Sequence, residues 1–217
     1  MKYEAVIFDM DGVIFDSERI VLDNWIELGK IYQLDHIEEV YRRCIGTNVT
    51  KTKEILLEYY GEDFPYEEYK LETSKMFWSK CAGGIVPVKP GVFELLQYLK
   101  EKGYLIGLAS STRVGAVTKE LEAVNLLSYF QELICGDMIK RSKPEPDIYL
   151  AACESLGVKP ANAIAIEDSY NGIRSAHRAG MHTVMVPDLI LPDDEMKQTA
   201  DHIFDSLHEV KKWLDRG

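Results

Sequence analysis

The 217-residue sequence has no apolar run near the roughly 20 residues needed to cross a bilayer, so a membrane-spanning helix is not expected. Its four cysteines, Cys44, Cys81, Cys135 and Cys153, form no C-x-x-C pair, which argues against a zinc ribbon or a thioredoxin-like site and predicts reduced, mostly buried thiols. Basic residues are in the minority. With 25 Lys plus Arg against 36 Asp plus Glu, the formal net charge of −11 disfavours bulk attraction to nucleic acid or an anionic membrane. Internal repeats and low-complexity tracts are also missing, and Met1-Lys2-Tyr3-Glu4 lacks the layout of a cleavable signal, so a cytoplasmic protein is expected. What remains is ordinary globular composition, 46% hydrophobic and 28% charged, long enough for one large domain or two small ones.

Ala5-Val6-Ile7-Phe8 is a short run of β-branched and aromatic residues ended by Asp9 and Gly12, the pattern of a strand buried on both faces. Comparable runs lie at Tyr104 to Ala109, Glu132 to Cys135, Ala163 to Ile166 and Thr183 to Val186. Helical periods separate them, as in Val92, Leu95, Leu96 and Leu99, and again in Val117, Leu121 and Val124. Alternating strand and helix predicts an α/β fold with a Rossmann-like parallel sheet covered by helices on both faces. The segment 17–87 breaks the rhythm. Val21, Trp25 and Leu28 share one helical face, Ile55, Leu56 and Tyr59 a second, and Tyr69, Thr73, Met76 and Phe77 a third. An all-helical domain is therefore predicted over 17–87, inserted into a core domain made of 1–16 and 88–217. The Gly- and Pro-dense stretch from Gly83 to Gly91 serves as the return linker.

Four polar clusters fall where the predicted strands end: Asp9-Met10-Asp11-Gly12, Ser110-Ser111-Thr112, Lys143-Pro144 in the loop after the third strand, and Glu167-Asp168. Taken singly they have plain uses as turns, helix caps and solvated loops. Taken together they meet at the carboxyl ends of parallel strands, where open α/β sheets bind ligands. Asp9, Asp11, Glu167 and Asp168 would crowd four carboxylates into one crevice, which calls for a cation or shared protons. An all-oxygen donor set suits Mg²⁺. With Lys143 and the Ser110 hydroxyl, that ion would clamp a phosphoryl group. One carboxylate could attack phosphorus, and the other, two residues on, could protonate the leaving oxygen and then deprotonate water.

Asp9-Met10-Asp11-Gly12-Val13, Ser110, Lys143-Pro144 and Glu167-Asp168-Ser169 resemble, in order, the four motifs of the haloacid dehalogenase-like hydrolases, and Asn171-Gly172-Ile173, Ala176 and Ala179-Gly180 also fit. The helical insert is similar to the cap of the β-phosphoglucomutase-like branch. The resemblance implies Asp9 as nucleophile and Asp11 as acid and base, with Ser110, its neighbour Ser111, and Lys143 binding the phosphoryl group. Asp9, the main-chain carbonyl of Asp11, and Asp168 would hold Mg²⁺, with Glu167 behind them. Dehalogenases of this superfamily lack the second aspartate, so Asp11 favours phosphoryl transfer over attack on carbon. Phosphonate hydrolases use a cap lysine, and nothing here singles one out. The mutases carry a cap His where this chain has Val21, and an Arg in the cap loop where Gly46-Thr47-Asn48-Val49 has none.

A Mg²⁺-dependent phosphatase acting on a small phosphomonoester is the expectation, as a monomer or weak homo-oligomer without nucleic-acid or membrane partners. A sugar-phosphate mutase is the alternative. A non-enzymatic phospho-acceptor switch is the rival of another class, although such modules lack a helical insert. Gly46, Thr47 and Asn48 either touch the substrate's organic part or make a helix-to-helix turn. Glu18 and Arg19 either line the cleft or form a solvated first helical turn, and Arg113 either helps bind an anion or starts a surface helix. Trp25, Phe77 and Trp78 are expected in the insert's core, and His177, His182, His202 and His208 in surface or packing roles.

Overall fold

The computed structural model describes residues 3–47 and 49–216. Chain order is β1 (Ala5–Phe8), α1 (Ser17–Tyr32), α2 (Ile37–Arg42), α3 (Val49–Tyr60), α4 (Tyr66–Lys80), α5 (Val92–Lys102), β2 (Leu105–Ser110), α6 (Val114–Ala123) and β3 (Glu132–Cys135). There follow α7 (Asp147–Ser155), β4 (Ala163–Glu167), α8 (Tyr170–Arg178), β5 (His182–Met185), α9 (Asp194–Thr199), β6 (His202–Ile203) and α10 (Leu207–Arg216). The six strands form one sheet in the order β3-β2-β1-β4-β5-β6, and every pairing is parallel.

Alternation along the strands sorts the core into two layers. Val6 and Phe8 of β1, with Ile106, Leu108, Ile164 and Ile166, pack beneath Leu95 and Leu99 of α5, Val117 and Leu121 of α6, and Val210 of α10. Ala5 and Ile7, with Ala109, Ala163 and Ala165, meet Ile148, Tyr149 and Ala152 of α7 and Ala176 of α8. Register then fixes the chemistry. Phe8 lies opposite Leu108 on one side and Ile166 on the other. The next residue of each strand, Asp9, Ala109 and Glu167, therefore reaches the same edge at the same level.

Helices α1 to α4 occupy the long connection between β1 and α5 and carry their own cluster of Trp25, Leu28, Ile37, Val40, Ile55, Leu56 and Tyr66. The outgoing and returning chains are stitched together. Phe15 and Val88 form an antiparallel bridge, the Asp16 amide donates to the Pro87 carbonyl (2.9 Å) and the Lys89 amide to the Ile14 carbonyl (2.8 Å). Three expectations about the insert need correction. Tyr59 is exposed, because the buried face of α3 is made by Thr52, Ile55 and Leu56 and Tyr59 lies off it. Trp78 is exposed with the Lys119 ammonium over its ring, and Phe77 packs against the main core instead of the insert's own cluster. Both sit in the last turns of α4, where the helix leaves the insert and meets α6. All four cysteines are free and buried, and His182 and His202 stack in an aromatic group with Tyr3 and Trp213.

Candidate active site

Asp9 leaves β1 with its amide bonded to the Ile166 carbonyl (2.9 Å), which keeps it in line with the sheet. Lys143 arrives from the loop after β3. That loop is tied to α8: the buried Ser175 hydroxyl donates to the Glu145 carbonyl (2.6 Å) and Arg178 to the Pro144 carbonyl (3.0 Å). So anchored, the Lys143 ammonium donates to Asp9 Oδ1 (2.5 Å), Glu167 Oε1 (2.6 Å) and the Ala109 carbonyl (3.0 Å). Three strands are joined through one nitrogen. Burial alone would lower the Lys143 pKa, but the charges of Asp9 and Glu167 overcome it and hold the ammonium firmly protonated.

Glu167 is fully buried and held from both sides. Tyr149 donates to Oε1 (2.6 Å), and the Ser169 hydroxyl donates to Oε2 (3.1 Å) while capping α8 at the Gly172 amide (3.1 Å). Gly172 makes this approach possible, because a Cβ there would lie 1.9 Å from the Glu167 carboxylate carbon. Asp9, Glu167 and Asp168 each present an oxygen within 4.8 Å of the others, a group that could hold a metal ion. Lys143 engages the first two of them. Burial pushes Asp9 up from 3.8 to about 7 despite Lys143, and burial with the charges of Glu18 and Glu167 pushes Asp168 well up. A cation of charge two at this point would relieve that crowding, and an all-carboxylate donor set matches Mg²⁺.

Asp11 stands apart from this trio. Its Oδ1 accepts from Ser17 (2.6 Å) and its Oδ2 from Thr112 (3.0 Å), so its side chain is aimed by the first turn of the insert and by the segment after β2. Ser110 ends β2 fully buried, with its hydroxyl accepting from the Thr112 amide (3.1 Å). Ser111 is exposed, and its carbonyl backs onto Gly136, where a Cβ would meet it at 2.1 Å.

The insert closes directly over this edge. Gly46, in the left-handed region (φ 70°), lies against Ser169, where any Cβ would come within 2.6 Å of the serine Cβ. Its amide donates to Glu18 (3.2 Å) and its carbonyl accepts from Asn171 (3.4 Å). The Thr47 hydroxyl is used inside the insert, donating to the Cys44 carbonyl (2.6 Å) and sharing a bond with Thr52 (3.0 Å). Asn48 lies outside the described residues. Arg19 pairs with Asp16 (3.4 Å) and Asp188 (3.5 Å), and Arg113 is an exposed residue at the start of α6. Glu18 is not a solvated first-turn residue. Its carboxylate is buried, and burial with the charge of Asp11 pushes it from 4.5 to about 8.

These raised values set a pH dependence. A carboxyl whose folded pKa exceeds its unfolded value gives stability that is complete below the unfolded value and is lost as pH rises through the folded one. For Asp9 that window runs from 3.8 to about 7, and for Glu18 from 4.5 to about 8. The metal-free protein is therefore expected to melt at a lower temperature at about pH 8 than at about pH 5, with added Mg²⁺ raising the midpoint more at the higher pH. A midpoint independent of pH across this window would contradict the assignment of these carboxyls.

Tyr149, Ser17 and Ser175 escaped the sequence reading, and Thr112 stood out there only as a member of the cluster that ends β2, without its bond to Asp11. Their signals, an aromatic on a core helix and isolated hydroxyls near turns, are shared with ordinary packing and capping residues.

A family model described as haloacid dehalogenase-like hydrolase matches residues 6–186. The phosphorylated carbohydrates phosphatase of Thermotoga maritima is 33% identical over 184 residues, 83% of either chain. The β-phosphoglucomutase of Bacillus subtilis is 29% identical over 215 residues, covering 95% of this chain and 94% of that one. Among solved structures, CbbY from Rhodobacter sphaeroides in complex with phosphate superposes with a TM-score of 0.77 at 27% identity, covering 96% of each chain. With its parallel sheet, its four polar clusters at one sheet edge and a family match spanning most of its length, the chain belongs to the haloacid dehalogenase-like hydrolases.

Proposed function

We propose that this hydrolase is a Mg²⁺-dependent phosphomonoesterase that releases phosphate from a small phosphorylated metabolite, a sugar phosphate or similar ester, through an aspartyl-phosphate at Asp9. The observation that carries the reading is the single ammonium of Lys143 binding Asp9, Glu167 and the Ala109 carbonyl at the ends of the central strands, next in sequence to the buried Ser110.

Asp9 attacks phosphorus, and the bond from phosphorus to the ester oxygen breaks. Asp11, held by Ser17 and Thr112, gives its proton to the departing oxygen. It then takes a proton from the water that attacks the aspartyl-phosphate, which returns Asp9 as carboxylate and Asp11 as acid. Lys143 and the Ser110 hydroxyl bind phosphoryl oxygens throughout, while Tyr149 and Ser169 keep Glu167 fixed so that Lys143 cannot drift. Asp9, Asp168 and the main-chain carbonyl of Asp11 would hold Mg²⁺, with Glu167 behind them, and the bound ion supplies positive charge to the phosphoryl group and to the crowded carboxylates. The insert acts as a cap: closed as seen here, with Gly46 against Ser169, it excludes bulk water from the first transfer.

Water as the final acceptor is supported by Val21, which packs against the insert's hydrophobic cluster and offers no titratable group. The test is phosphate release from a panel of phosphomonoesters that includes sugar phosphates, with Mg²⁺ and with a chelator. Release that needs Mg²⁺ is expected. Isomerised sugar phosphate formed without free phosphate would establish a mutase instead, and a stable phosphoprotein without turnover would establish a phospho-acceptor switch.

A further inference from the structure

We infer that Glu18 recognises the organic part of the substrate, its unpaired carboxylate oxygen taking up a hydroxyl on the carbon chain of the phosphate ester once the insert admits it. This rests on the hydrolytic reading above and deepens it, assigning the choice of polyhydroxy phosphates over plain alkyl or aryl ones to one residue.

Glu18 follows Ser17, the residue that binds Asp11, in the first turn of α1, where the chain passes from the sheet into the insert. One of its oxygens accepts from the Gly46 amide (3.2 Å), which ties it to the turn that closes against Ser169. The other, Oε2, is buried without a hydrogen-bond partner. A buried polar atom left unpaired forfeits the hydrogen bonds it had in water, so its retention calls for a purpose.

The surroundings narrow what the partner can be. Asp9, Asp11 and Asp188 all raise the Glu18 pKa by their charge, and Glu18 does the same to Asp168, so the carboxylate lies close to the reacting end of the site. The nearby cations are committed: Lys89 (2.6 Å) and Arg19 (3.5 Å) pair with Asp188, and Lys143 with Asp9 and Glu167. A substrate carrying a second anionic group near Glu18 would meet only like charge. A hydroxyl suits the open oxygen whether the carboxyl is ionised or protonated, since it both donates and accepts. A site built to pair with a hydroxyl also rejects an analogue lacking it, because the buried oxygen is then left bare.

The experiment compares matched esters, glycerol phosphate against propyl phosphate and sorbitol phosphate against hexyl phosphate, for wild type, Glu18→Ala and Glu18→Gln. Wild type is expected to favour the polyol member of at least one pair by about 10-fold or more in kcat/KM, with Glu18→Ala cancelling the preference and Glu18→Gln keeping part of it. A polyol preference that survives Glu18→Ala, no preference in wild type, or a preference for phosphoethanolamine that depends on Glu18 would each overturn the inference. Should wild type hydrolyse none of these esters, the hydrolytic reading fails separately. Calorimetric binding of sorbitol phosphate and hexyl phosphate to Asp9→Asn, with and without Glu18→Ala, then decides the contact. Tighter polyol binding that vanishes with Glu18 supports it, and equal binding overturns it.

Discussion

Asp9→Asn is expected to reduce phosphate release by about 10³-fold or more while leaving the fold intact. The amide cannot form the acyl phosphate, yet it matches the carboxylate in shape and can still meet Lys143 through its carbonyl oxygen. Stability should behave in the opposite sense to activity. The native carboxyl is pushed up to about 7 chiefly by burial, so near neutral pH its ionised form is held at a cost that the neutral amide does not carry. The metal-free variant should therefore melt no lower than wild type at about pH 8, the side of the window where the penalty is complete. A variant that keeps substantial turnover would remove Asp9 from the chemistry. One that loses activity only because it unfolds would leave a structural role alone. Circular dichroism and thermal melting beside the phosphate assay separate the two.

Lys143→Ala carries the second large effect. It strips from Asp9 and Glu167 the only side-chain cation that pairs with them among the described residues and leaves their carboxylates buried and uncompensated, a change that typically costs about 3–5 kcal/mol. The lysine side chain is 4% exposed, so solvent screening does little to reduce that cost. Phosphate release should fall together with stability, because the proposed mechanism has the same ammonium bind the phosphoryl group. The loss of stability should be smaller at about pH 5 than at about pH 8, since Asp9 gains its proton below about 7. Urea denaturation of the metal-free variant at both pH values measures this, and a loss under about 1 kcal/mol at the higher pH would mean that Lys143 is not what holds the carboxylates together.

Much of this arrangement was legible in the sequence, for a physical reason. A strand buried on both faces must be apolar, so the residue that ends it is the first allowed to be charged. Asp9, Ser110 and Glu167 stand out on that account, and parallel register brings their strands' ends level. The insert was legible as helices because Trp25, Leu28, Ile55 and Leu56 repeat at helical spacing. Helix α2 escaped notice because its six residues include only two buried apolar ones, Ile37 and Val40, and strand β6 because two residues make no pattern. Glu18 was ambiguous for a deeper reason. Its burial depends on Gly46, 28 positions further on, folding back over it, and no local pattern records that closure. The orientation of Asp11 is equally non-local, since Thr112 reaches it from 101 positions away.

The central claim is that the phosphoryl group passes from the ester to Asp9 and then to water. The most direct measurement is mass spectrometry of the enzyme quenched in acid within the first turnover on its best ester with Mg²⁺. The account predicts a phosphoryl adduct on the peptide that contains Asp9, decaying as free phosphate appears, and absent from Asp9→Asn. Phosphate released at the wild-type rate with no adduct on that peptide at any quench time would contradict it.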